Sequence, residues 1–251
     1  MEAGLLGGFM LAACAFATLL EHPASPVRQV IAQPILRRIP MGLAMGLTAV
    51  TLIYSRWGRR SGAHLNPAVT LSFWRLGKVA PWDALFYVVA QFAGGIAGVE
   101  LAALLLGDLV AHPAVRYAAT LPGAAGPAPA FVAEAAIAFG LMLVVLTTSN
   151  HPRLARFTGL FAGALVASYI VLEAPFSGMS MNPARTVGSA VPSGSWTALW
   201  VYFTAPPLGM LAAAQLYPVI GRRRRVRCAK LHHDSAQRCI FRCGFAKEVS
   251  P

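Results

Sequence analysis

The chain has 251 residues, of which 57% are hydrophobic and 12% are charged. A soluble globular domain carries about 25% charged residues, so the composition excludes an ordinary soluble domain and predicts an integral membrane protein. The net charge of +12 does not indicate a nucleic-acid partner, because nine of the 21 Lys and Arg residues lie in the last 31 residues. A basic tail beside an apolar segment is typical of membrane topology.

Six long apolar segments follow one another, at about 3–20, 39–56, 82–106, 129–148, 157–176 and 194–219. About 20 apolar residues span the hydrocarbon core of a bilayer, so each segment predicts a transmembrane helix. The segments are rich in Ala, Gly and Leu, and small residues let such helices pack closely. The first segment carries Glu2 and no basic leader, so we expect it to be retained as a span.

The basic residues predict the orientation of these spans. If residues 221–251 are cytoplasmic, sixteen Lys and Arg residues lie inside and five lie outside. Six spans place both termini on one side, and cytoplasmic loops carry the excess of positive charge. We therefore expect a multi-pass protein of the plasma (cell inner) membrane with both termini in the cytoplasm.

A short motif occurs twice, as SGAHLNPAVT at 61–70 and as SGMSMNPART at 177–186. The two copies follow the second and fifth spans, so each occupies the same place within a three-span half. Three is odd, so the second half must be inverted relative to the first. We expect one channel domain over 1–220, with inverted halves at about 1–106 and 129–220, and a separate tail over 221–251.

The Asn-Pro-Ala core of each motif predicts the start of a short helix. Asn is a favoured N-cap and Pro suits the first helical position, so Asn66-Pro67-Ala68 and Asn182-Pro183-Ala184 each begin a helix. About eight apolar residues follow, which reach about 12 Å, less than half of the hydrocarbon core. Two such half-helices entering from opposite faces would meet at the midplane. Their positive N-termini and the Asn NH₂ groups would repel cations and bind a permeating oxygen.

These motifs make the chain similar to the aquaporin and glycerol-facilitator family, the major intrinsic proteins, bacterial-type members included. Glu2, Glu134, Gln91, Pro206 and Gly209 fit the same resemblance, which covers about residues 1–220. It implies an all-α fold of six transmembrane helices and two re-entrant half-helices, with a pore in each subunit of a homotetramer. The midplane electrostatics described above are already established for that family.

The resemblance also implies a selectivity filter of four residues, one of them an arginine. Spacing from the Asn-Pro-Ala motifs assigns it to Met45, Ile170, Met179 and Arg185, with Gly46 as the alternative to Met45. The filter lacks the histidine typical of water channels and the paired aromatic residues typical of glycerol facilitators. Thr186 and the pair Tyr202-Phe203 favour water.

Four polar residues near the motifs are expected to be structural. In the family, glutamates at the positions of Glu2 and Glu134 accept backbone N–H groups of the re-entrant loops, and Gln91 fits the same polar set. For Glu2, a solvated N-terminal residue is an equal alternative. We expect His64 to be neutral and hydrogen-bonded within its own loop, although a gating role by protonation is open.

The tail contains Cys228, His232, His233, Cys239 and Cys243. Thiolate and imidazole ligands suit zinc, but the spacing of the cysteines is not a standard zinc pattern. The alternative is a reduced cytoplasmic tail whose arginines contact anionic lipid. Cys14 lies within a span and is expected to pack there. The channel should be complete without the tail.

We conclude from the sequence that the protein is a passive water channel and not an enzyme, with no cofactor beyond the zinc considered for the tail. Its partners would be water, small neutral solutes, the bilayer and further copies of the chain. Glycerol, ammonia or hydrogen peroxide are alternative solutes. A non-conducting membrane sensor with a metal- or redox-responsive tail is the alternative of another class.

Overall fold

A computed structural model describes residues 1–220, 225–233 and 239–245. Within these residues the chain forms α-helices and two short 3₁₀ turns, with no β-strand. In chain order the α-helices are α1 (Glu2–Glu21), α2 (Pro26–Val30), α3 (Pro34–Tyr54), α4 (Arg56–Ser61), α5 (Pro67–Arg75), α6 (Pro81–Leu106), α7 (Asp108–Ala111), α8 (Pro127–Ser149), α9 (Thr158–Leu172), α10 (Ala174–Ser177), α11 (Pro183–Ser193) and α12 (Leu199–Ile220).

The six long helices α1, α3, α6, α8, α9 and α12 correspond to the six predicted spans, and α5 and α11 are the predicted half-helices. Among the described residues, five segments are long and apolar enough to cross a membrane, namely α1, α3, α6, α8 and the segment Ala155–Leu172 that includes α9. Helix α12 has 22 residues but carries three internal prolines, which lower its apolar content. The architecture confirms the predicted all-α membrane fold.

The two halves of the chain pack as an inverted pair. Helix α1 packs on α6 in the first half, and α8 packs on α12 in the second, while α3 and α9 cross between the halves. Each half-helix packs against the third long helix of the opposite half, α5 on α12 and α11 on α6. The repeat therefore interlocks, and it brings the two Asn-Pro-Ala motifs to the same level.

Small residues allow these crossings. A Cβ added to Gly98 of α6 would clash with the Gly7 carbonyl oxygen of α1. The equivalent contact in the second half is between Gly209 of α12 and Ala135 of α8, where an added Cβ would also clash with a carbonyl oxygen. Both crossings place backbone against backbone, as is typical of tightly packed membrane helices.

Three helix boundaries differ by four or more residues from the sequence prediction. Helix α9 ends at Leu172 rather than near 176, because a turn at Glu173 separates it from the short helix α10. Helix α3 begins at Pro34 rather than near residue 39, because Arg37 is buried in an ion pair with Glu21 at 2.8 Å and is tolerated inside the helix. Helix α12 begins at Leu199 rather than near 194, because α11 runs on to Ser193 and ends at Gly194 in the left-handed conformation. Proline at the first turn opens α3, α6 and α8, as well as both half-helices.

Candidate functional site

The N-termini of α5 and α11 meet inside the bundle, each capped by its Asn. The Asn66 side-chain oxygen accepts from the Ala68 N–H at 2.8 Å, and that of Asn182 accepts from the N–H groups of Ala184 (3.0 Å) and Arg185 (3.2 Å). Pro67 and Pro183 occupy the first helical turn. Ala68 and Ala184, which follow the prolines, are fully buried.

The two asparagines also bind across the repeat. Asn66 Nδ2 donates to the Met181 carbonyl oxygen at 2.6 Å, and Asn182 Nδ2 donates to the Leu65 carbonyl oxygen at 2.8 Å. Each NH₂ group has two hydrogens, so one N–H is used to join the two loops. Sequence reasoning assigned these groups only to the solute and missed their structural use.

Glu134 braces the second loop from α8 and is fully buried. Its carboxylate accepts from the Ser177 hydroxyl at 2.6 Å and from the backbone N–H groups of Ser180 and Met181, both at 2.7 Å. These three bonds satisfy donors that would otherwise be unpaired inside the bundle.

Glu2 has the same role in the first loop and is buried, so the solvated alternative does not describe it. It accepts from the Ser61 hydroxyl at 2.6 Å and from the backbone N–H groups of His64 (3.3 Å) and Leu65 (2.7 Å). Gln91 adds a fourth bond by donating from Nε2 at 2.9 Å. Ser61 and Ser177 are equivalent positions of the repeated motif, and the brace explains why both are serine.

His64 is buried and bonds its own half-helix, with Nδ1 3.0 Å from the Thr70 hydroxyl oxygen. Its other nitrogen, Nε2, lies 2.9 Å from the carbonyl oxygen of Ala229 in the tail. The imidazole also stacks on Phe241 of the tail, with ring centroids 5.4 Å apart. The tail contact joins residues 165 apart in sequence, and no local pattern indicates it.

A cavity of about 280 Å³ runs past both Asn66 and Asn182. All four predicted filter residues, Met45, Ile170, Met179 and Arg185, line it. Gly46, the alternative to Met45, faces away, because a Cβ added there would lie 2.6 Å from the Gly163 carbonyl oxygen of α9. The geometry therefore favours Met45.

Arg185 is 9% exposed, and its Nη1 has no hydrogen-bond partner among the described residues. Because Arg185 lines the cavity, it places a positive charge and N–H donors beside the space that a solute would occupy. Arg38 lines the same cavity and adds a second positive charge that sequence reasoning did not assign to the site. The apolar lining, with donors at few points, suits an uncharged molecule that passes without tight binding.

The lining of the cavity also includes Ala63, His64 and a residue of the tail, Leu231, and we call this part of the lining the mouth. Leu231 is 5% exposed, and its N–H donates to the Gly62 carbonyl oxygen at 3.1 Å. Sequence reasoning treated the tail as separate from the channel domain, and it missed this residue because an isolated leucine carries no signal.

The tail cysteines and one of the two histidines lie together. The ligand atoms of Cys228, His233, Cys239 and Cys243 are all within 4.8 Å of one another. His232 lies outside this cluster and packs edge-on against Tyr54, with ring centroids 4.9 Å apart. Cys14 is a free buried thiol that packs in the core, 3.6 Å from the Tyr117 carbonyl oxygen.

Comparison with known proteins agrees with this geometry. The sequence model described as "MIP: Major intrinsic protein" matches residues 3–217. The chain therefore belongs to the major intrinsic protein family. The aquaglyceroporin from Plasmodium falciparum, whose X-ray structure is known, has a similar fold, with a TM-score of 0.65 and 21% identity over 88% of this chain and 97% of that one.

Named relatives are found among plant proteins. The Aquaporin NIP1-3 of Oryza sativa subsp. japonica is 38% identical over 71% of this chain and 60% of its own length. The Aquaporin NIP2-1 of Zea mays is 37% identical over 80% of this chain and 65% of its own length. The chain thus spans about three fifths of the length of the curated relatives it matches.

Proposed function

We propose that the protein is a passive membrane channel for water, with small uncharged solutes such as glycerol as a second class of substrate. The observation that carries the proposal is the meeting of two capped half-helices, at Asn66 and Asn182, on one cavity. Each helix N-terminus bears about half a positive charge, so the site disfavours cations and offers donors to a neutral oxygen.

The filter supports water and leaves room for larger neutral solutes. Met45, Ile170 and Met179 give an apolar ring, in which Arg185 is the strong hydrogen-bond donor. Methionine side chains are flexible and adapt to different shapes. Such a ring would pass water with little coordination and would tolerate small polyols better than a ring closed by histidine.

The same proposal includes the protein's setting in the cell. The excess of Lys and Arg on the side of the termini favours cytoplasmic termini in a plasma membrane. Large apolar side chains on the outer surface, such as Leu47 (65% exposed) and Leu104 (81% exposed), suit contact with lipid or with other subunits. The family resemblance favours a homotetramer with one pore per subunit. Membership of this family also favours a channel over an enzyme.

Stopped-flow light scattering of proteoliposomes tests the proposal. Vesicles containing the protein should shrink faster than empty vesicles after an osmotic step, with a low activation energy. A series with glycerol, ammonia and hydrogen peroxide would rank the solutes. Rates equal to those of empty vesicles, in samples with verified incorporation and with the tail both present and deleted after Ile220, would contradict conduction and favour the non-conducting sensor.

A further inference from the structure

The tail folds back onto the two loops that flank α5 and makes backbone bonds to them beside the mouth of the cavity. Leu231 N–H donates to Gly62 O, and Arg242 N–H donates to Lys78 O, both at 3.1 Å. Val226, Ala229 and Leu231 are buried, and Leu231 lines the cavity itself. A basic segment that only touched lipid would not bury apolar residues in this way.

The four-residue cluster joins two parts of this docked tail. Cys228 precedes the segment 229–231, which contacts the mouth, and His233 follows it. Cys239 and Cys243 flank Phe241, which stacks on His64. A single ion bound by all four side chains would therefore hold both contact segments together at the mouth.

The geometry of the cluster fits a tetrahedral metal site. Cys228 Sγ lies 3.5 Å from Cys239 Sγ, and Cys243 Sγ lies 3.0 Å from His233 Nε2. Zinc bonds of about 2.3 Å to sulfur and 2.0–2.1 Å to nitrogen imply tetrahedral edges of roughly 3.5–3.8 Å. The Cys228–Cys239 edge must lengthen by about 0.3 Å and the Cys243–His233 edge by about 0.5 Å to reach these values. The remaining separations are at most 4.8 Å, so they need to shorten by no more than about 1 Å.

The chemistry of the cluster agrees with a metal. A thiolate is the form that binds a metal. Lys230 is 1% exposed, and its positive charge would offset the net negative charge of three thiolates around a divalent ion. A closed Cys₃His set is typical of structural zinc.

We propose that Cys228, His233, Cys239 and Cys243 bind one zinc ion, and that this ion holds the tail in the mouth of the cavity and thereby restricts flux. The metal site stands on its own geometry, whereas the effect on flux rests on the proposed channel function. Removal of zinc should release segment 229–231, including Leu231, and open the mouth.

The metal is tested on full-length protein purified without a His-tag. We expect about one zinc per chain by elemental analysis, as in a closed four-ligand site. The matched pair is H233A and H232A, which alter adjacent histidines of which only one belongs to the cluster. H233A should lower zinc affinity by at least about the 100-fold that loss of a supporting group causes at metal sites, and H232A should not.

The C239S/C243S variant should also lose zinc, and C14S should keep it. Absence of zinc from the parent protein after exposure to zinc under reducing conditions would overturn the site. A Cys228–Cys239 disulfide detected in place of the metal would also overturn it. Equal zinc affinities for H233A and H232A would exclude His233 as a ligand.

Hydrogen exchange of backbone amides measures the docking of the tail, and this measurement does not depend on conduction. Chelation of zinc should make exchange severalfold faster at the Leu231 and Arg242 amides, and should leave the amides of α8 unchanged. Unchanged exchange at both tail amides would overturn the zinc-held mouth. Water flux should rise severalfold on chelation in the parent and in H232A, but not in H233A or in a chain truncated after Ile220.

These readouts separate the two proposals. Zinc-dependent exchange together with no flux from any variant, the truncated chain included, would contradict the channel and retain the zinc-held tail. Flux that is unaffected by chelation, with zinc fully removed, would retain the channel and overturn its restriction by the tail.

Discussion

The two Asn-Pro-Ala loops share a backbone and a brace but differ in the side chains they present to the cavity. Ala63 and Leu65 of the first loop, and Met179 and Met181 of the second, all have positive φ at equivalent positions. Such φ values are uncommon outside glycine and are held here by the surrounding bonds. The equivalence shows that both halves keep the bonds that shape the loop.

The differences lie where a side chain meets the solute or the tail. Val69 of the first half corresponds to Arg185 of the second, and His64 corresponds to Ser180. Arg185 lines the cavity as a charged donor, whereas His64 bonds the tail. The second loop therefore presents a charged donor to the cavity and the first loop contacts the tail, although the two scaffolds are alike.

The largest expected effect comes from breaking the brace of one half. E134Q would place an NH₂ group against the N–H groups that the carboxylate now accepts, and bonds to a charged group contribute about 1.5–3 kcal/mol each. We expect E134Q to lose most of its yield of folded protein and most of its thermal stability. Fluorescence-detected size exclusion during a temperature ramp measures both.

E2Q is the matched change in the first half and should be milder. The NH₂ group that E2Q introduces can take the place of Glu2 Oε1, where it can donate to the Ser61 hydroxyl oxygen and the nearest backbone N–H is 3.3 Å away. The amide oxygen then keeps the bonds from Leu65 N–H and Gln91 Nε2. Both oxygens of Glu134 accept from a backbone N–H at 2.7 Å, so the NH₂ group of E134Q faces a donor in either orientation. Equal losses of yield and thermal stability in E2Q and E134Q would contradict this explanation.

The next effect concerns charge in the filter. R185V makes the second motif resemble the first at this position, and it removes a unit positive charge from a partly desolvated cavity. At about 4 Å and an effective dielectric of about 20, that charge repels a cation by roughly 4 kcal/mol. Loss of this repulsion should raise the proton or cation leak at least tenfold. Uptake of larger polyols should also increase.

Liposome leak assays with a pH-sensitive dye and polyol swelling assays measure these changes. V69I is the control, because it alters the equivalent position in the first half without altering charge. If R185V assembles normally and keeps the parent selectivity, Arg185 does not face the permeating solute.

A smaller effect is expected from charge at the midplane. N66D and N182D each add a carboxylate between two positive helix ends, which should lower the barrier to cations and raise the leak severalfold. Arg185 lies on the same half-helix as Asn182 and should offset the charge of N182D more than that of N66D. We therefore expect the greater cation conductance from N66D, measured in planar bilayers. Equal conductances would mean that Arg185 does not act at the midplane, and unchanged conductance in both would contradict the dipole argument.

Much of this arrangement was predictable because it depends on local chemistry. The helix starts at Asn66 and Asn182 follow from capping and proline geometry, and the six spans follow from length and hydropathy. The buried Arg37 displaced the predicted start of α3, because its ion pair with Glu21 depends on tertiary contact.

The contacts of the tail could not be predicted from the sequence, because they too depend on tertiary structure. Ala229 and His64 meet across 165 residues, and the cysteine spacing matches no standard pattern until the chain folds back. The choice of His233 over His232 likewise needed coordinates, because the two are adjacent and chemically identical.

The smallest expected effect comes from making the first loop resemble the second at its docking point. In H64S, the new hydroxyl would bond Thr70 as Ser180 bonds Thr186, where the two hydroxyl oxygens are 2.6 Å apart. The half-helix should therefore remain intact. The lost bond to Ala229 O and the lost stacking on Phe241 should weaken tail docking by about 0.5–1.5 kcal/mol, the net value of one hydrogen bond. Water flux of the zinc-bound variant should rise by less than it does on full removal of zinc, and exchange at the Leu231 amide should quicken modestly. A variant with normal stability but unchanged exchange would show that His64 does not hold the tail.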